Sequence, residues 1–228
     1  KQADISLLRI VATLAVVFLH TNNTLSNNSL WFSLTEDQTV FFTANNLLMN
    51  WAVPVFLMIT GGLLLDPNRK ITYDICIKKY VKRILLALFV FGVSFSIMEI
   101  TLNVKALSVG SIGEAIINVI NGNSWSHLWY LYSLIGLYLI LPILKTFINN
   151  TDNSTLICSI GVIFLFCFMI KWIDKILGTT IAFGIPIAGF SVFYALIGRY
   201  IIARKSYFLD KKKICACLLV LETVVIII

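Results

Sequence analysis

Apolar positions in this chain neither alternate nor recur at every third or fourth residue. They run. Continuous apolar stretches cover Ile5–His20, Val40–Leu65, Ile84–Leu102, Leu128–Phe147, Thr155–Trp172 and Ala188–Ile202, and a seventh starts at Ile214. Most approach the roughly 20 residues that a helix rising about 1.5 Å per residue needs to cross a hydrocarbon core of about 30 Å. The first stretch is too polar at Arg9 and His20 for a signal peptide, and no small-residue cleavage site follows it. Polar connectors separate the runs: TNNTLSNNSLWFSLTEDQT, the basic segment 66–83, NNTDNS and DKILGTTIAFGIP. The connector 103–127 contains GEAIINVI, which reads as an interfacial or re-entrant helix. The pattern predicts an all-α fold, a polytopic transmembrane helix bundle with six to seven spans in view.

Composition removes the main competing class. Of the 228 residues 59% are hydrophobic and 13% charged, against about 25% charged in an ordinary soluble domain. The net charge of +7 would suggest nucleic acid in a soluble protein, but here the cations gather at span ends and no nucleic-acid partner is expected. Twelve of the 18 basic residues lie in 66–83 and 199–213. Four spans separate these segments, so both fall on one side, which the positive-inside rule makes cytoplasmic. The N-terminus then lies in the cytoplasm and His20 at the outer end of the first helix. Five cysteines form no CxxC pair and lie mostly in apolar runs. They read as small buried hydrophobes, without a disulfide framework or a metal site.

Ionisable groups inside spans are costly and therefore informative. Arg9 and His20 are 11 residues apart; at about 100° per residue they come within about 20° of one another on the helix surface, about 16 Å apart along its axis. Thr13 lies close to the same line. Such a stripe is expected to face a polar cavity rather than lipid. The plainer readings are a snorkelling Arg9 and an interfacial His20; their shared face weighs against both. Glu99 and Glu222 fall in the third and seventh spans, Glu99 either countering Arg9 or lying near the outer interface. Asn45, Asn46 and Asn50 read best as interhelical hydrogen-bonding groups. Lys145, Lys171 and Lys175 stand at span ends and are expected to snorkel.

Several of these stretches are familiar together. LLRIVATLAVVFLH, with Arg9 and His20, resembles the opening motif of the membrane acyltransferase family called acyltransferase-3. VPVFLMITGGLLL, with Pro54, Phe56, Gly61 and Leu64, is similar to that family's VPxFFxxSGxxL signature, with Thr60 in place of the usual serine. YVKRILLALFVF, HLWYLYSLIGLYLILPIL and FYALIGRYI resemble its later segments, in the same order. Where the family often carries Arg-x-x-Arg before its third helix, this chain has Lys79-x-x-Lys82, followed by Arg83.

The resemblance implies a domain of about ten membrane helices. On that basis residues 1–228 are expected to form a membrane-embedded acyltransferase-3-like domain cut short at its C-terminus. It further implies transfer of an acyl group, acetyl by default, from cytoplasmic acyl-CoA to a hydroxyl of an extracytoplasmic or lipid-linked glycan. Acetyl-CoA or another acyl-CoA is then a co-substrate, with no bound cofactor. By the same resemblance His20 is the catalytic base, or less readily a transiently acylated group, and Arg9 orders the donor or stabilises developing charge. The six basic residues of 66–83 form a basic cytoplasmic mouth for the donor, with Lys79, Lys82 and Arg83 its donor-binding residues, and the pantetheine arm would run along the Arg9–Thr13–His20 stripe. His127 and Trp129 fall on the acceptor side, with interfacial anchoring the plainer role for Trp129. The implied location is a bacterial plasma membrane, and the partners are the bilayer, the acyl-CoA and the glycan. A transporter or permease-like module, fused to a soluble partner domain, is the competing reading. It calls for broken helices paired across an inverted repeat, and no such repeat is visible in the sequence.

Overall fold

The second apolar run is divided by its proline. In the computed structural model, which describes residues 2–27, 34–102, 109–124, 128–177 and 189–211, this run forms α2 (Glu36–Met49) and α3 (Ala52–Leu64). Proline has no N–H, and its ring crowds the carbonyl four residues back. For Pro54 that residue is Asn50, which with Trp51 forms the turn between the two helices. A capping box starts α2: the Gln38 N–H donates to Thr35 Oγ1 at 3.3 Å and the Thr35 N–H donates to Gln38 Oε1 at 3.0 Å. Glu36 and Asp37 then complement the positive end of the helix.

All regular structure among the described residues is helical. α1 (Gln2–Asn27) runs past the expected end at His20, because its polar C-terminal turns find partners on α2. α4 (Tyr73–Ile75), a π-helical turn at Cys76–Val81 and α5 (Lys82–Leu102) form one continuous run. Among the described residues four helical runs are long and apolar enough to cross a membrane: Ala3–Asn23, Glu36–Leu64, Tyr73–Leu102 and Trp129–Asn149. The last of these is α7, with Pro142 inside it. The expected fifth and sixth spans are shorter apolar helices, Asn153–Met169 and Phe190–Ala203. The first of these comprises α8 (Asn153–Phe164) and a π-helical turn at Leu165–Met169, which continues into α9 (Ile170–Leu177). The second is α10, followed by the short α11 (Lys205–Asp210). The expected re-entrant segment forms α6 (Val109–Ile120). The start of a seventh span at Ile214, with Glu222, Cys215 and Cys217, lies outside the described residues.

The chain divides into two compact units, residues 1–66 with 159–228, and residues 67–158. In the first, α3 packs on α10 through glycine. A methyl group on Gly61 would fall 2.2 Å from the Ala195 carbonyl oxygen, and one on Gly198 would fall 2.0 Å from that of Met58. Leu57, Ala195 and Leu196 are buried at this crossing. Phe164, Phe168, Phe193 and Tyr194 form an aromatic cluster beside it, with ring centroids 5.0–6.0 Å apart. α1 lays Ala12 and Ala15 on Ala52, edged by Val16, Met49, Val55 and Phe56. Its other apolar side chains, Leu7, Leu14, Val17 and Phe18 among them, are exposed, as suits a helix solvated by acyl chains.

In the second unit α6 packs on α5. Asn118 Nδ2 donates to Ser96 Oγ at 3.2 Å, Ser124 Oγ donates to the Gly92 carbonyl at 2.9 Å, and the Tyr132 hydroxyl donates to the Val119 carbonyl. These bonds satisfy polar groups where lipid offers no alternative. Two expectations are corrected here. Lys145 does not snorkel: it is 7% exposed and buried on α7. Cys158 is exposed, unlike the buried Cys76.

Candidate functional site

The face that α1 turns to α2 and α3 is set by Ala12, Ala15 and Asn22. Small residues there let the backbones approach closely. The Arg9–His20 stripe is displaced from that face by roughly 110° of helix rotation, so packing does not cover it. Arg9 and Thr13 are exposed, and the Thr13 hydroxyl donates to the Arg9 carbonyl at 2.8 Å. The expected polar cavity around the whole stripe is therefore not formed by the described residues. His20 is the exception. Its ring is half-buried and its Nδ1 atom lies out of solvent reach.

Below the imidazole the helix pair is joined by carboxamides. Asn22, 4% exposed, donates from Nδ2 to the Phe42 carbonyl at 2.7 Å and to Asn46 Oδ1 at 2.6 Å. Asn46 Nδ2 in turn donates to Asn23 Oδ1 at 2.5 Å. The interhelical role expected for the asparagines of the second span therefore holds for Asn46. Asn50 is exposed at the α2–α3 turn. Asn22 and Asn23 were missed as site residues because TNNT resembles the start of a connector. The signal was available: Asn22 follows Ala15 by seven residues and so shares its face.

The proposed donor-side residues belong to the second unit. Lys79 lies in the π-helical turn, and Lys82 and Arg83 open α5; all three are exposed. π-helical turns inside α-helices occur frequently at functional sites. Around this one Tyr80 stacks on Tyr138 with centroids 5.2 Å apart and receives a hydrogen bond on its hydroxyl from Arg69 Nη2 at 3.1 Å. The Lys79 ammonium stands 6.0 Å from the Tyr80 ring. Sequence reading counted Arg69 among the basic residues of 66–83 but missed Tyr80 and Tyr138 here. Trp129, at the start of α7, is 45% exposed, which suits an interfacial ring. Glu99 is exposed on α5. His127 lies outside the described residues.

A helical chain with four helices long and apolar enough to cross a membrane among its described residues belongs to the membrane-embedded proteins rather than to soluble folds. Residues 2–228 match the family described as acyltransferase domain. The chain belongs to that family: it is a membrane acyltransferase. Comparison with curated proteins and with solved structures returned no match.

Proposed function

We propose that this acyltransferase moves an acyl group, acetyl by default, from cytoplasmic acyl-CoA to a hydroxyl of an extracytoplasmic or lipid-linked glycan. The observation that carries the reading is His20, a half-buried imidazole on the same helix face as Arg9 in a chain of this family. Histidine is the side chain whose ordinary pKa suits proton transfer near neutrality. In the reaction His20 takes the proton of the acceptor hydroxyl. The oxygen attacks the thioester carbonyl, a C–O bond forms and the C–S bond breaks. The CoA thiolate leaves and recovers the proton from the imidazolium, so the cycle needs no oxidant or metal. Arg9 stabilises charge on the thioester oxygen as it develops. Lys79, Lys82 and Arg83 hold the polyanionic donor, and His127 and Trp129 attend the acceptor. A bacterial plasma membrane with the N-terminus inside fits this direction of transfer.

The test is acyl-CoA turnover by the purified protein in nanodiscs, followed as free thiol, for wild type beside His20→Ala. Loss of a general base is expected to lower the rate by about 10²–10⁴-fold. An unchanged rate in a folded His20→Ala variant would remove His20 from the chemistry. Absence of turnover and of acyl-CoA binding in wild type would return the chain to the transport reading.

A further inference from the structure

Asn22, Asn23 and Asn46 are joined to one another across α1 and α2: Asn22 to Asn46, and Asn46 to Asn23. Asn45, next to Asn46 on α2, is not part of that chain of bonds. Its Nδ2 is buried and, among the described residues, has no hydrogen-bond partner. A buried donor without an acceptor costs stability, so one that a native protein keeps calls for an explanation, and an ordered water, an ion or a bound ligand can each supply its missing acceptor or role. The location sharpens this. Asn23 follows His20 by three residues, which places the two side chains about 60° apart on the helix surface and about 4.5 Å apart along its axis. The asparagine chain therefore begins one helical step from the proposed base and continues onto α2.

We infer that Asn45, with Asn22, Asn23 and Asn46, forms the subsite that binds the acceptor, and that the acceptor group it takes is a neutral polyol rather than a phosphorylated or carboxylated one. The inference rests on the reading of His20 as the base and extends it to the class of acceptor. A carboxamide offers two N–H donors and a carbonyl acceptor, a set that matches sugar hydroxyls, each of which both donates and accepts. An anionic acceptor would call for a cation, ideally the guanidinium fork. Segments 20–23 and 39–50, which carry the cluster, contain no Lys, Arg, Asp or Glu. The spare Nδ2 of Asn45 then takes a hydroxyl oxygen of the acceptor, while the Asn22–Asn46–Asn23 bonds fix the helices on either side.

Two measurements on the reconstituted protein test this. The first is acyl transfer or competitive binding with methyl β-glucoside and N-acetylglucosamine as neutral probes and glycerol phosphate as the anionic one. The second is the effect of Asn45→Leu on the same assay and on thermal unfolding, with Asn46→Leu as the structural comparison. The neutral probes are expected to bind and glycerol phosphate not to. Asn45→Leu is expected to raise the KM or Ki for a neutral probe about tenfold, the loss of one hydrogen bond at a site. Its KM for acyl-CoA and its His20-dependent hydrolysis without acceptor should stay at wild-type values. Its melting temperature should equal or exceed that of wild type, whereas Asn46→Leu should melt lower. Preference for glycerol phosphate, failure of every probe to bind, or an Asn45→Leu variant as unstable as Asn46→Leu would each overturn the inference while leaving acyl-CoA hydrolysis standing. Acyl-CoA hydrolysis at the wild-type rate in a folded His20→Ala variant would instead remove the reading beneath it.

Discussion

Asp152 holds the first turn of α8 with three hydrogen bonds. The Thr155 hydroxyl donates to Oδ1 at 2.6 Å, and the backbone N–H groups of Ser154 and Thr155 donate to Oδ2 at 2.9 and 3.3 Å. The Thr155 side chain, then its N–H and that of Ser154, hold the carboxyl below its ordinary value of 3.8. A group whose pKa is lower in the folded state contributes stability above its unfolded value and loses it as pH falls through the folded one. Asp152→Asn is therefore expected to melt below wild type at pH 7, with the gap closing as pH falls past 3.8. Thermal unfolding of both proteins in detergent across that range checks it; a gap independent of pH would show that the charge contributes nothing. At this scale legibility was uneven. Arg9 and His20 announced themselves because two ionisable groups at one helical spacing inside an apolar run are expensive. Lys145 did not, because a lysine near a span end reads the same whether it reaches for water or is enclosed by its neighbours.

Helix α3 meets α10 where neither has a side chain in the way. Lipid is as apolar as leucine, so helices associate in a membrane by close packing more than by the hydrophobic effect. Gly61→Ala would set a methyl 2.2 Å from the Ala195 carbonyl oxygen, and Gly198→Ala would set one 2.0 Å from that of Met58. Both obstacles are backbone, which does not swing aside, so each substitution is expected to destabilise by about 1–3 kcal/mol. Gly136 on α7 has nothing within 4 Å of the same position, and Gly136→Ala should leave the melting temperature unchanged or slightly raised. Equal behaviour of all three would mean that the crossing is not held by close approach. The sequence displayed Gly61 within a recognisable segment but not its partner on α10, since contact between distant helices leaves no local mark. The π-helical turns at Cys76–Val81, in the basic connector, and at Leu165–Met169, in an apolar run, were equally hidden, because a single register shift leaves no mark on composition. The break at Asn50–Trp51 was not read, although Pro54 gave a local signal for it by acting on the carbonyl four residues before it.

For the whole molecule, apolar run length gave the fold class, and among the described residues four of the helices it predicts are long and apolar enough to cross a membrane. A run of apolar residues reports what lipid or a protein core tolerates, whereas crossing requires one helix of sufficient rise. Among the described residues the runs at 155–172 and 188–202 form the apolar helices Asn153–Met169, which continues to Leu177, and Phe190–Ala203. Orientation is a separate matter, carried by the basic segments 66–83 and 199–213, and the proposed chemistry depends on it. Acyl-CoA is a cytoplasmic metabolite, so Lys79, Lys82 and Arg83 can serve the donor only from inside. In a cysteine-free background, Asn68→Cys and Tyr207→Cys should resist a membrane-impermeant maleimide in intact cells and react after permeabilisation. Asn121→Cys, in the connector expected on the opposite side, should react in intact cells. All three positions are exposed, so a failure to label reports the side of the membrane rather than burial. The reverse pattern would place the basic segments where no acyl-CoA is available. Transfer from a cytoplasmic donor by these residues would then be untenable, whatever His20 does.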